Sequence, residues 1–329
     1  MLDKLNLQLF AEMNTNVTTD SGLSVENKTF YDMTLIDEAQ ANLVHDQFAQ
    51  KRPIPKNGGK KIEFRKFASL PKALTPLTEG VTPDGKKLSV TKIEAEVAQY
   101  GDYIVQSDVL ELTSIDNTIV EATKILGRQA GLTLDTITRN VMQGGTNVFY
   151  APKGDGTAVA SRANLDNTCV LTVDLVNRVV AFLKKNNAPK INGDYVCILH
   201  PYAAYDLMKD PAWVEAHKYT TPENIYNGEL GKIGGVRFVE SSEAKIYSGG
   251  VFGCLFIADG AYGVTEIAGG GLTTIIKQKG SAGTADPLDQ RSSIGWKAIK
   301  TAERLVEPYM VRVECKTSLG GDMFAIEEN

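Results

Sequence analysis

Histidine is scarce, with three in the whole chain. His45, His200 and His217 stand far apart and show neither the H-x-x-x-H nor the H-E-x-x-H spacing that puts two imidazoles on one helix face around a metal. The four cysteines, Cys169, Cys197, Cys254 and Cys315, form no C-x-x-C, and at least three lie inside apolar strand-like runs. They read as reduced core thiols of a protein made in the cytoplasm. No G-x-S-x-G nucleophile turn and no phosphate loop ending in Gly-Lys-Ser/Thr occurs, and the glycine groups at 154–156 and 269–271 lack the helix-opening glycine of a dinucleotide site. No run approaches the roughly 18 apolar residues of a membrane helix, and the opening residues lack a basic stretch before an apolar block. Together these absences weigh against a metalloenzyme, a serine hydrolase, a nucleotide-dependent enzyme and a membrane-spanning or secreted protein. No catalytic residue, metal or cofactor is expected.

Positive charge is also short overall, 35 basic against 40 acidic residues, a net charge of −5. That is the wrong sign for a protein whose task is to neutralise phosphates, so sequence-specific nucleic-acid binding is not expected. The charge is unevenly placed. Residues 1–50 carry eight acids (including Asp32, Asp37, Glu38 and Asp46) against two lysines, a balance of −6. Residues 51–92 carry eleven bases (among them Lys60, Lys61, Arg65, Lys66, Lys86 and Lys87) against three acids, a balance of +8.

Periodicity divides the chain further. After a polar, low-complexity stretch, Phe30, Leu35, Ile36, Ala39, Leu43 and Phe48 recur at helical spacing, which predicts an arm helix ending at Pro53. The basic segment reads as a long hairpin: Lys60–Phe67 rises to a tip broken by Pro71, Pro76, Gly80 and Pro83, and Lys86–Tyr100 returns. Leu88 and Val90 fall on one parity and Ile93, Ala95 and Val97 on the other, which predicts a bulge in the returning strand. The longest helical pattern runs from Asp116, a candidate N-cap, to Gln143, with Ile119, Ala122, Leu126, Ala130, Thr133, Ile137 and Val141 on one stripe. From about 165 to 290, helix and strand patterns alternate as in a compact α/β lobe: a helix capped by Thr172, a buried strand at Tyr195–Leu199, a short helix opening at Pro201, a loop over 210–232, then strands separated by glycines. Two terminal strands, in 291–329, are expected to pair with the long helix and the hairpin. The class is α+β.

The +8 hairpin has three readings at this level: a solvated charged surface, a nucleic-acid arm (with few aromatics to stack on bases), or a ribbon that docks on the −6 arm of another copy.

The order acidic arm, basic hairpin, long helix, α/β lobe and terminal strands resembles the major capsid proteins of tailed bacteriophages. Leu5–Glu12, Gly231–Ser242 and Asp286–Lys297 look like segments of such proteins. The resemblance implies an N-arm over 1–52, an extended loop over 53–100, a peripheral domain with the spine helix over 101–164 and again over 291–329, and an axial domain over 165–290. It also implies a structural protein rather than an enzyme. Hexamers and pentamers would tile into an icosahedral head around double-stranded DNA, assembled in the cytoplasm of a bacterial host, with portal and, where a head uses them, scaffolding or decoration proteins as further partners. Lys60, Lys61, Arg65, Lys66, Lys86 and Lys87 of the loop, and Asp32, Asp37, Glu38 and Asp46 of the arm, would make contacts between subunits. The segment before the expected arm helix is only about 25 residues, short for the cleaved scaffolding region that some members carry, so a separate scaffold or none is expected. Other members weld subunits through a lysine–asparagine bond, for which Lys66, Lys72 or Lys86 would be the lysine here, with no identifiable partner. An encapsulin-like shell around cargo enzymes shares the fold and is the alternative.

Overall fold

The computed structural model describes residues 15–16, 43–67, 70–77, 79–82, 84–113, 118–217, 230–266, 270–281, 286–319 and 328–329. Most of the expected arm helix and its acids Asp32, Asp37 and Glu38, the Asp116 cap and the middle of the 210–232 loop lie outside these. The chain forms two compact units, one of residues 1–43, 99–134 and 270–299, the other of 44–98, 135–269 and 300–329.

The second unit is built on a seven-stranded sheet. At its centre β7 (Tyr195–Leu199) and β11 (Val251–Ile257) are buried on both faces, so both run apolar without alternation. β11 pairs antiparallel with β7 and, at its start, with β10 (Ile246–Tyr247), and β7 pairs parallel with β9 (Val236–Glu240), whose outer neighbour is β8 (Lys232–Ile233). On the other side β11 pairs with β15 (Met310–Cys315), which is parallel to β6 (Val148–Tyr150). The last strand therefore completes this sheet rather than pairing with the hairpin, as was expected, and it meets the long helix at that helix's end, where Arg312 donates to the Gln143 carbonyl oxygen. Its Val311, Val313 and Cys315 are fully apolar inward residues, and the sheet's core is where they can be buried. The helix Val173–Lys185 packs Val176, Val179 and Leu183 onto one face, and Thr172 caps it by accepting from the Leu175 N–H at 3.4 Å. Met142, Tyr262, Val264, Ala302 and Met310 cover Val196, Ile198, Leu255 and Ile257 on the other face. All four cysteines are buried and unpaired. Within the expected 210–232 loop, Pro211–His217 forms a helix, opened by proline at the position whose missing N–H costs nothing.

In the first unit β5 (Ala98–Ser107) and β13 (Thr273–Lys277) flank the first part of β14 (Arg291–Arg304), and Thr15–Asn16 pairs parallel with β5. Glycine permits the close approach of β5 and β14. A Cβ on Gly101 would stand 2.5 Å from the Trp296 carbonyl oxygen, and one on Gly295 would stand 2.6 Å from the Tyr103 Cβ and 2.8 Å from the Asp102 carbonyl oxygen. Since backbone must give way, either glycine-to-alanine change is expected to lower stability by about 1–3 kcal/mol. A urea denaturation midpoint unchanged in both variants would count against this packing.

The long helix, Thr118–Gln143, has 26 residues and is about 39 Å long. Its buried positions step by four, through 122, 126, 130, 134, 138 and 142, with 123, 127, 131, 135, 139 and 143 beside them. Four residues overshoot a turn by about 40°, so the buried side winds around the axis. Of the expected apolar stripe, Ala122, Leu126 and Ala130 are buried, the Ile119 side chain lies outside the described residues, and Thr133, Ile137 and Val141 are only half-buried while the buried row passes to Asp135, Thr138, Arg139 and Gln143.

Candidate assembly surface

The hairpin belongs to the second unit. Its strands, β3 (Lys61–Phe67) and β4 (Val90–Glu96), pair in one unbroken antiparallel register from Lys61 opposite Glu96 to Phe67 opposite Val90. There is no bulge. Phe64 and Ala95 are buried and Ile62 and Ile93 half-buried on one face, whereas Leu88 and Val90 are simply exposed apolar residues. Phe64 anchors the root, its ring lying against Gly263 in β12 (Tyr262–Glu266), and the Val97 N–H donates to the Lys60 carbonyl oxygen at 3.0 Å.

Much of the hairpin's charge is matched within the chain. Arg65 Nε donates to Glu63 Oε1 at 2.6 Å, Lys92 lies 3.3 Å from the same oxygen, and Lys61 lies 3.9 Å from Glu96. The Arg65 hydrogen bond holds the Glu63 carboxyl below the usual carboxylate range. Such exposed pairs contribute little to stability but reduce the field the ribbon presents. Lys60, Lys72, Lys86 and Lys87 are exposed, with no carboxylate partner among the described residues. Lys66 contributes backbone pairing opposite Thr91, and its side chain lies outside the described residues.

The expectations missed the apolar tip. Leu70, Leu74, Leu77, Val81, Leu88 and Val90 are between 43% and 81% exposed, on a segment that has no helix and, between β3 and β4, no strand. Soluble chains rarely leave so many large apolar side chains together in water unless another surface covers them. The leucines were visible in sequence, but the prolines and glycines among them read as a turn.

Asp46 is turned inward. It accepts from Thr138 Oγ1 at 2.6 Å and forms an ion pair with Lys300, and its side chain is 14% exposed. Burial pulls the Lys300 ammonium down from the ordinary lysine range, opposed by the charge of Asp46. Beside it, His45 gives its backbone N–H to Asp135 Oδ1 at 2.8 Å, and its Nδ1 lies 2.6 Å from Oδ2, with both side chains fully buried. Tyr262 donates its hydroxyl to the His45 carbonyl oxygen. Residues 45–48 form a turn, so the expected arm helix does not reach Phe48; the sequence is held there by these side-chain bonds. The Asp46 carboxylate is thus engaged within its own chain.

At the hairpin root lies a cleft of about 380 Å³, lined by Gln50, Arg52, Phe64, Arg65, Ile93 and Tyr309 among others.

A family model described as phage capsid protein matches residues 90–305, more than half of the chain. The chain belongs to the phage capsid protein family. The match begins at the returning strand of the hairpin and ends just before β15, so the arm and the hairpin tip lie outside it. No curated protein sequence matches this capsid protein. Among solved structures it is similar to the cyanophage Pam1 capsid asymmetric unit (12% identity, 94% of this chain and 100% of that one, TM-score 0.67). It is also similar to the capsid of cyanophage P-SCSP1u (14% identity, 92% and 93%, TM-score 0.65). Identities this low show the fold, which is the α+β major capsid fold of tailed phages. A virus-like particle from Pyrococcus furiosus aligns over 86% of this chain and 97% of that one at a TM-score of 0.50. The phage capsid family match and the phage capsid structures make the compartment-shell alternative the weaker one.

Proposed function

We propose that this capsid protein works by contact with copies of itself, tiling as hexamers and pentamers into a closed head around double-stranded DNA. The observation that carries the reading is the exposed apolar tip of the hairpin, a surface with no partner in its own chain among the described residues. In this reading residues 1–52 are the arm and 53–100 the extended loop; the rest of the first unit, 101–134 and 270–299, belongs to the peripheral domain, and the lobe around the seven-stranded sheet, with β6 and β15 in it, is the axial domain. The loop lies across a neighbouring copy, its tip supplying apolar area and Lys60, Lys86 and Lys87 supplying register and steering. Contact between unlike surfaces of identical chains is heterologous and closes into rings and shells. Each contact can be modest because a subunit makes several at once. The net charge of −5 suits a shell that encloses DNA without gripping it. Assembly takes place in the bacterial host's cytoplasm, with a portal and, where the head needs them, scaffolding or decoration proteins.

Negative-stain electron microscopy of the protein expressed alone, over a series of salt concentrations, tests this. Closed shells or hexameric sheets are the expected result. Uniform small particles at every salt, persisting when the neighbouring phage gene products are co-expressed, would overturn it.

A further inference from the structure

We infer that Lys300 and Asp46 become joined by a covalent side-chain amide within one subunit, formed with the loss of one water; the inference is independent of the assembly reading above. The setting is the buried clasp in which Asp46 holds Thr138 and Lys300 beside the His45–Asp135 pair. The Lys300 and Asp46 side chains are 7% and 14% exposed and in direct contact, Nζ against Oδ2. Other lysine–carboxylate pairs of the chain differ in burial. In Lys61–Glu96, Lys92–Glu63, Lys124–Glu121, Lys153–Asp166 and Lys232–Asp194 the lysine is between 39% and 63% exposed, so water keeps the amine protonated and unreactive.

Burial is the largest influence on the Lys300 ammonium and draws it below the ordinary lysine range, against the charges of Asp46, Asp135 and Glu266. A pair withdrawn from water in this way competes with its neutral form, amine and carboxylic acid, which escapes the cost of desolvating two ions. The neutral form holds a nucleophile against an electrophile, and contact replaces an encounter in solution. Nζ gives its lone pair to Asp46 Cγ. The charge that develops on Oδ1 meets the Thr138 hydroxyl, which already donates to that atom at 2.6 Å. Oδ2 takes one proton from Nζ as the ion pair neutralises and a second as the tetrahedral centre collapses, so that the Cγ–Oδ2 bond breaks and water leaves. One C–N bond is formed and one C–O bond is broken, with no oxidant and no cofactor. The product ties the turn at 45–48 to β14 and closes a loop of most of the chain, which restricts the unfolded state as a disulfide does. It lies within one chain, unlike the lysine–asparagine bond by which other members weld subunits.

Intact-mass spectrometry of the full-length chain, purified folded and then denatured, tests this. The expected mass is lower than that of the sequence by one water. Trypsin is expected to release a branched peptide joining residues 29–51 to residues 298–304, uncleaved after Lys300. Lys300→Arg, which keeps the charge, is expected to abolish the water loss, and Thr138→Val to slow formation of the amide by about tenfold or more. The wild-type measurement decides even where a variant fails to fold. The full sequence mass, in free subunits and in subunits recovered from shells alike, would overturn the inference, as would a water loss that maps to any pair other than Asp46 and Lys300.

Discussion

Replacing Asp135 by alanine is expected to destabilise the second unit by about 3–5 kcal/mol, because a fully buried partner would be taken from groups that have no other. The carboxylate faces both the His45 backbone N–H, at 2.8 Å, and the His45 Nδ1, at 2.6 Å. The other imidazole nitrogen, Nε2, is buried without a hydrogen-bond partner among the described residues, so the ring has no alternative means of satisfaction. Asp135→Asn keeps the shape and one acceptor and should cost less. The loss is expected to spread through the clasp, since Tyr262 bonds the His45 carbonyl oxygen and the adjacent Asp46 holds Thr138 and Lys300. Urea denaturation of wild type and both variants measures it. An alanine variant within about 0.5 kcal/mol of wild type would mean that the pair is dispensable, as surface substitutions are.

The legibility of the sequence follows from where apolar residues do the packing. The helix to Gln143, the capped helix at Thr172, the buried strand at Tyr195 and the basic hairpin were all readable, because the helices carry a regular apolar period, the strand a continuous apolar run and the hairpin a tip rich in proline and glycine. The clasp was not. Asp135, Thr138, Arg139 and Gln143 are polar, so a stripe drawn through apolar residues passes them by, although their spacing continues the buried row. Once buried they need named partners, and those lie far along the chain: Arg139 donates to the Glu243 carbonyl oxygen and Gln143 to that of Gly253. The same limit applied to Asp46, which reads in sequence as one more acid in an acidic arm and is drawn inward by Lys300. β15 was misplaced for a different reason. Alternation tells which face of a strand is buried but not which strands flank it, and pairing between Phe252–Ile257 and Met310–Cys315 is a long-range choice.

Assembly should be far more sensitive to the hairpin tip than folding is. Leu74, Leu77 and Val81 are 81%, 77% and 63% exposed, so Leu74→Ser, Leu77→Ser and Val81→Ser together should leave the subunit's unfolding midpoint near that of wild type. If a neighbouring copy covers these three side chains, each buries apolar surface worth about 1.5–2 kcal/mol, and the triple change removes roughly 4–6 kcal/mol per contact. That corresponds to about a thousandfold or more in the association constant of one contact, and every subunit makes the same contact, so shells should disappear at concentrations where wild type assembles fully. Light scattering against concentration reads this directly. Charge reversal of Lys86 and Lys87 should act differently: rim charges chiefly govern association rate and salt response, so Lys86→Glu with Lys87→Glu should slow assembly most at low salt and little at high salt. Triple-serine subunits that build shells at the wild-type concentration would show that the tip is exposed in the head as well, and would shift the burden of cohesion to the root and the arm.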